Sequence, residues 1–287
     1  MESPTMAPPG APAAPSGGPG DDIPPWPIWI VPATLLLGAG LGIVAVTVLD
    51  IVATGGSSTN TSWWVTILGN VGFDLGFVAA ALWFTSRVAR PRAADFGFRR
   101  VRVKRGVVAV GLGAIGYFGV SAIYAAVFSL HRVEKLPSGL GNLHTTANVI
   151  GTALFVCVFA PMAEELFFRG FLFGTLRRIP LRVAGRDLGP WIGALLTAVL
   201  FGAAHLGSAG LEYLVPLGLL GFMLCLVRWR TGSLYPCIAL HSANNALALG
   251  VNQLGWTAAE VLALILASWL VTVAITWRLG ARTAPVR

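Results

Sequence analysis

Charge is what this 287-residue sequence has least of. Asp, Glu, Lys and Arg together make up 11% of it, while hydrophobic residues make up 55% and mean hydropathy is +0.75. A soluble domain carries about a quarter charged residues, so an ordinary cytosolic globule is excluded. A polytopic membrane protein, apolar both inside and toward lipid, is expected instead. Cysteine is also scarce. Cys157, Cys225 and Cys237 lie singly in apolar stretches, which excludes a disulfide framework or a cysteine metal site. Lysine is nearly missing, with two Lys against eighteen Arg; together with heavy Ala and Gly usage, this points to a GC-rich bacterial genome. Extended disorder is excluded beyond the N-terminus by 10 Trp and 15 Phe. The net charge of +8 is not a nucleic-acid signature, because the basic residues fall in loops between apolar runs, where they report topology.

What is present falls into a tail and a series of apolar runs. Residues 1–27 hold nine Pro and four Gly, with Asp21 and Asp22 and no Lys or Arg. This reads as a disordered tail, and without a basic start it does not read as a signal peptide. Eight runs near the length of ~20 residues that a bilayer requires follow, at 28–49, 63–84, 106–130, 149–174, 191–206, 213–227, 234–251 and 258–277. The fold class is therefore all-α, a membrane helical bundle of about eight spans. Three spans over 28–148 form a framework, 149–251 a core, and 252–287 a last span and basic tail. Seventeen of the twenty basic residues lie in alternate connections: Arg87 to Arg105, Arg177 to Arg186, Arg228 with Arg230, and Arg278 to Arg287. Arg132 and Lys135 lie on the other side and Arg169 within a span. The positive-inside rule then places both termini in the cytoplasm and the protein in the plasma membrane. Gly38 with Gly42, and Gly170 with Gly174, have the spacing of close helix packing.

Ionisable residues inside a span are costly and tend to face the bundle interior, where they mark function. Glu164 and Glu165 are adjacent in the fourth span, so they point about 100° apart and have different roles. Glu165 and Arg169 are i and i+4 and can pair, which leaves Glu164 free. His205 ends the fifth span; His241 and Asn245, also i and i+4, lie in the seventh. Counted from the cytoplasmic end of each span at ~1.5 Å per residue, these four groups lie at roughly 10–21 Å depth and can meet in one layer. A carboxylate in an apolar pocket suits a general base acting on water; a histidine can hold that water, and a His and an Asn can donate to an oxyanion. Structural readings stand beside this one: a buried ion pair for Glu165 with Arg169, and interhelical hydrogen bonds for His241 and Asn245. Asp74 in the second span, one turn after Asn70, either lines the same cavity or bonds a neighbouring helix.

The order Glu-Glu-x-x-x-Arg, Phe-x-x-x-His, His-x-x-x-Asn on successive apolar runs resembles the CAAX protease and bacteriocin-processing family of intramembrane endopeptidases. That family includes the type II CAAX prenyl endopeptidases and the relatives called Abi proteins. The resemblance covers roughly residues 149–251. It implies Glu164 as base, His205 as the residue that helps hold the water, His241 and Asn245 as the oxyanion site, and Glu165 with Arg169 as support. His144 and Asn148 fit the same short pattern at the wrong depth.

There is no His-Glu-x-x-His for a zinc enzyme, no paired aspartate motif, and no histidine partner for Ser233. The resemblance implies a water activated without cofactor. Zinc on Glu164, His205 and His241 stays open as the alternative. The expected partners are the lipid bilayer and a membrane-embedded or lipidated peptide, with no nucleic acid. The site is expected to open toward the cytoplasm. The competing functions are a non-catalytic immunity or scaffold protein and a small-solute or proton carrier; the absence of a visible internal repeat weighs against the carrier.

Overall fold

In lipid each backbone N–H and C=O needs a partner inside its own segment, so long apolar runs fold as helices. The computed structural model describes residues 26–56, 62–128, 140 and 143–280. The tail up to residue 25 lies outside the described residues, as do Arg132, Lys135, Arg282 and Arg287.

The helices in chain order are α1 Ile30–Thr54, α2 Trp63–Val88, the short α3 Ala93–Phe96, and α4 Val103–Val127. Next come α5 Thr146–Leu176, α6 Gly189–Ala203, α7 Leu214–Thr231, α8 Tyr235–Leu247 and α9 Ala258–Gly280. Between α5 and α6 two-residue strands, β1 Arg182–Val183 and β2 Arg186–Asp187, form an antiparallel hairpin. Each expected apolar run thus corresponds to a helix. By length and composition six helical segments can cross a membrane: α1, α2, α4, α5, α9 and α7 with the short turn that precedes it. The count of eight is therefore not carried over: α6 is a shorter apolar helix of 15 residues. The seventh run divides into α8 and a π-helical continuation, Ala248–Gln253.

One end of the bundle gathers the basic connections. Ser233 Oγ donates to the Arg99 carbonyl at 2.6 Å, and the Leu234 amide donates to the Gly97 carbonyl at 2.8 Å. Arg105 donates to the Arg230 carbonyl, and Arg100 lies over the Trp277 ring at 4.9 Å. Trp26 packs on Phe96 and Phe171, with ring centroids 4.9 and 5.9 Å apart. It is only 3% exposed, so the expected tail already ends at this anchor. Gly97 has a left-handed φ of 103° and sits directly against the Arg228 guanidinium, where a side chain has no room.

α5 is the central element. Within its most apolar window 44% of residues are buried, against 11% for α1, whose Leu36 and Val52 face outward at 77% and 78% exposure. α1 and α2 pack through glycine. A Cβ at Gly76 would lie 2.7 Å from the Gly42 nitrogen, and Gly38 and Gly42 receive Phe77 and Phe73. Gly170 likewise packs on Phe96. Its expected partner Gly174 has no such contact, the nearest atom being 4.0 Å away.

Gly76→Val drives a side chain into backbone that cannot yield. We expect it to lower stability by roughly 1–3 kcal/mol, read as a fall in the melting temperature of the purified protein. Gly40→Val, with nothing within 4 Å of the added carbon, should leave that temperature unchanged.

Candidate active site

The site begins with a proline. Pro161 has no N–H, so the Cys157 carbonyl one turn earlier lacks its α-helical donor. The backbone over Phe155–Phe159 is π-helical, and the Ala160 amide bonds Phe155 rather than Val156. Val156 would then need the same missing Pro161 donor. α8 supplies both partners. Ser242 Oγ donates to the Cys157 carbonyl at 2.6 Å, and Asn245 Nδ2 donates to the Val156 carbonyl at 2.9 Å. Asn244 Nδ2 lies 3.3 Å from Asn245 Oδ1. One proline and one register shift thus fix α8 against α5. π-helical turns often occur where function demands a displaced side chain.

A second π-helical turn, Leu166–Leu172, follows the two glutamates. Glu165 and Arg169 pair as expected, at 2.7 Å with both side chains fully buried. The guanidinium also donates to the Gly221 carbonyl at 3.2 Å and lies over the Phe201 ring at 4.3 Å. Gly221 allows this approach, because a Cβ there would meet Phe201 Cβ at 3.1 Å. The same Glu165 oxygen accepts from His241 Nδ1 at 2.8 Å. A carboxylate only accepts, so Nδ1 carries the proton and Nε2 faces the other way. In that direction lies Glu164, with Oε2 3.9 Å from Nε2. Glu164 Oε2 is buried and has no hydrogen-bond partner.

His205 lies in the turn just after α6 ends at Ala203, rather than within the helix. Its Nδ1 is 2.8 Å from the Phe201 carbonyl, which holds the ring through its own chain and leaves Nε2 free. Phe201 contacts both imidazoles, at 5.0 Å to His205 and 5.7 Å to His241. Glu164, Glu165, Arg169 and His241 thus form one contiguous cluster. Asn245 sits one turn along α8, bonded to α5, and His205 joins across Phe201. No hydrogen bond links His205 to Glu164 among the described residues.

Two participants were not singled out from sequence, Ser242 and Gly221, and Phe201 entered only through the Phe-x-x-x-His spacing. A serine beside His241, one turn-pair from a proline-interrupted helix, was the available signal for the first. A backbone carbonyl acceptor leaves no signal in sequence. Asp74 Oδ2 is also buried without a hydrogen-bond partner, and Asp74 lies within electrostatic reach of Glu164. Among the described residues no group of three or more His, Cys, Asp and Glu side chains is arranged to hold a metal ion.

Comparison with known proteins bears out the resemblance read from the motifs. Residues 146–247 match the family model described as type II CAAX prenyl endopeptidase Rce1-like. The chain is 31% identical to an uncharacterized 24.3 kDa protein of Escherichia coli over 135 residues, 45% of this chain and 59% of that protein. It is 33% identical to the uncharacterized protein YyaK of Bacillus subtilis over 109 residues, 34% of this chain and 32% of that one. The chain thus spans less than two thirds of either relative. No solved structure matches.

Removing one partner of a buried ion pair strands the other. Glu165→Gln should destabilise the purified protein by about 3–5 kcal/mol, and the double variant Glu165→Gln with Arg169→Met should recover part of that loss in the same melting assay.

Proposed function

We propose that this protein is an intramembrane endopeptidase. It hydrolyses a peptide bond of a membrane-associated or lipidated peptide, with Glu164 as general base. The observation that carries the reading is a half-buried glutamate whose Oε2 is itself buried, unpartnered and 3.9 Å from an imidazole whose other nitrogen is anchored to Glu165. A base and a donor at that separation can straddle a reacting centre.

Glu164 takes a proton from water as the oxygen attacks the carbonyl carbon. The oxyanion that forms is stabilised by the Asn245 amide hydrogen not given to Val156 and, with His241 carrying a proton on each ring nitrogen, by His241 Nε2–H. Glu165 and Arg169 hold His241 in place and act only through it. His205, with Nδ1–H given to the Phe201 carbonyl, offers the Nε2 lone pair to the water's second proton. As the C–N bond breaks, Glu164 returns its proton to the leaving amine, so the carboxylate is regenerated. The site lies nearer the basic end of the bundle, since His241 is only six residues into α8. The positive-inside rule makes that side cytoplasmic, with both termini there and the protein in the plasma membrane. The substrate in a bacterial host is a membrane-held peptide or regulator awaiting release, and no metal takes part.

The test compares membrane-proteome peptide termini in strains carrying the wild type or Glu164→Gln at matched expression. Termini that depend on Glu164 should fall by at least about a hundredfold in the variant, the scale of a lost general base. Unchanged termini with a folded, abundant variant would overturn the reading. Once a cleaved peptide is identified, its cleavage by purified protein should survive dialysis against a chelator. Loss of activity, restored by added zinc, would return the zinc alternative.

A further inference from the structure

Asp74, whose Oδ2 is buried, is an acid that this mechanism does not use. α2 and α5 pack side by side in one register. Trp63 meets Gly151, Ile67 and Val71 pack with Phe155 and Ala160, and Phe77 meets Phe167 with ring centroids 5.0 Å apart. Ala81 and Phe171 then share a cluster further on. The contacts follow the same order along both helices, so the two run parallel. Asp74 and Glu164 each lie three residues before the Phe77–Phe167 contact. The register therefore sets one carboxyl across from the other. Both have an oxygen that is buried and lacks a hydrogen-bond partner, Asp74 Oδ2 and Glu164 Oε2.

The two acids have unequal surroundings. Glu164 faces His241 Nε2, and the Arg169 guanidinium is close by in the same helix. Among the described residues no cation lies beside Asp74. α2 packs against α1 and α5. The charged residue of α1, Asp50, is near the far end of that helix, beyond the contact of Val46 with Gly69. On α5 the charged residues within the site are Glu164, Glu165 and Arg169, and the last two are paired. Two adjacent carboxylates in an apolar interior cannot both stay ionised. The asymmetry decides which one keeps the proton.

We infer that Asp74 and Glu164 form a carboxyl pair across the α2–α5 interface that holds one proton, with Asp74 the protonated partner and the positioning residue for Glu164. Protonated Asp74 donates a hydrogen bond to Glu164, directly or through a water. That bond satisfies both orphaned oxygens, aims the base, and leaves Glu164 ionised for catalysis. The inference rests on the reading of Glu164 as the base.

The test is infrared spectroscopy of the full chain in lipid nanodiscs at neutral pH, with ¹³C-labelled aspartate. We expect a protonated-carboxyl C=O stretch that shifts with the label. It should be absent in Asp74→Asn and displaced in Glu164→Gln, where the ionised acceptor is gone. A stretch that is missing from the wild type, or that persists in Asp74→Asn, would overturn the pair. Proteolysis gives a second readout on the substrate found above. Asp74→Asn, which keeps a neutral donor, should retain most of the activity. Asp74→Leu should lose about ten- to a hundredfold, as when a hydrogen bond to a charged group disappears. Full activity in Asp74→Leu would also overturn it. If Asp74→Leu does not fold, the Asp74→Asn spectrum decides alone. Retained processing in Glu164→Gln would instead defeat the endopeptidase reading. An inactive Glu164→Gln with no aspartate signal defeats this inference only.

Discussion

A full positive charge sits at the centre of an apolar bundle, and the site is built around the need to neutralise it. Arg169 is fully buried, and its guanidinium is met by one carboxylate, one backbone carbonyl and one aromatic face from three helices. Burying a charge without such partners costs far more than a fold can absorb. Each partner is therefore held to a narrow position. Glu165 stays on its own helix, Gly221 fixes α7, and Phe201 fixes α6. The same carboxylate oxygen then orients His241 on α8. Neutralising one arginine thereby ties four helices to a common point, and the histidine inherits its aim from that arrangement.

The second organising device is a defect in the central helix. Pro161 removes a donor, and the π-helical turn before it shifts the remaining bonds by one residue. Two carbonyls are left open within a medium that offers no water to satisfy them. Ser242 and Asn245 close them from α8. An ideal α-helix would have satisfied its own carbonyls and given α8 nothing to bind. The interruption thus holds the His241 face of α8 against the Glu164 face of α5, while the apolar side chains around it pack by shape alone.

Much of this was legible in the sequence. Runs of apolar residues near bilayer length predict helices because the backbone has no other solution in lipid. The spacing of Glu165 and Arg169 predicts their pairing because helical neighbours at i and i+4 face each other. The adjacency of two glutamates predicts different roles because a helix turns 100° per residue. These are properties of a single helix, so local sequence carries them. The boundaries were less legible. α6 ends before His205, and the seventh run passes into a π-helical stretch, because those ends depend on what packs against them. The expected partner of Gly170 failed for the same reason: spacing shows that a residue could pack, and only the neighbouring helix decides whether it does.

By itself, then, the sequence determined that this is a membrane helical bundle with a small set of polar residues within its spans, and named the ionisable ones among them. The energetic cost of charge in lipid is strong enough to be read from composition and position alone. Only the tertiary structure decided how those residues are shared. It placed His241, not His205, beside Glu164. It joined His241 to Glu165 rather than leaving both ring nitrogens free, engaged Asn245 with the Val156 carbonyl, and put Asp74 across from Glu164. Those outcomes follow from the register between helices that are distant in sequence. That register is set largely by aromatic packing and freed carbonyls, neither of which leaves a periodic trace along the chain.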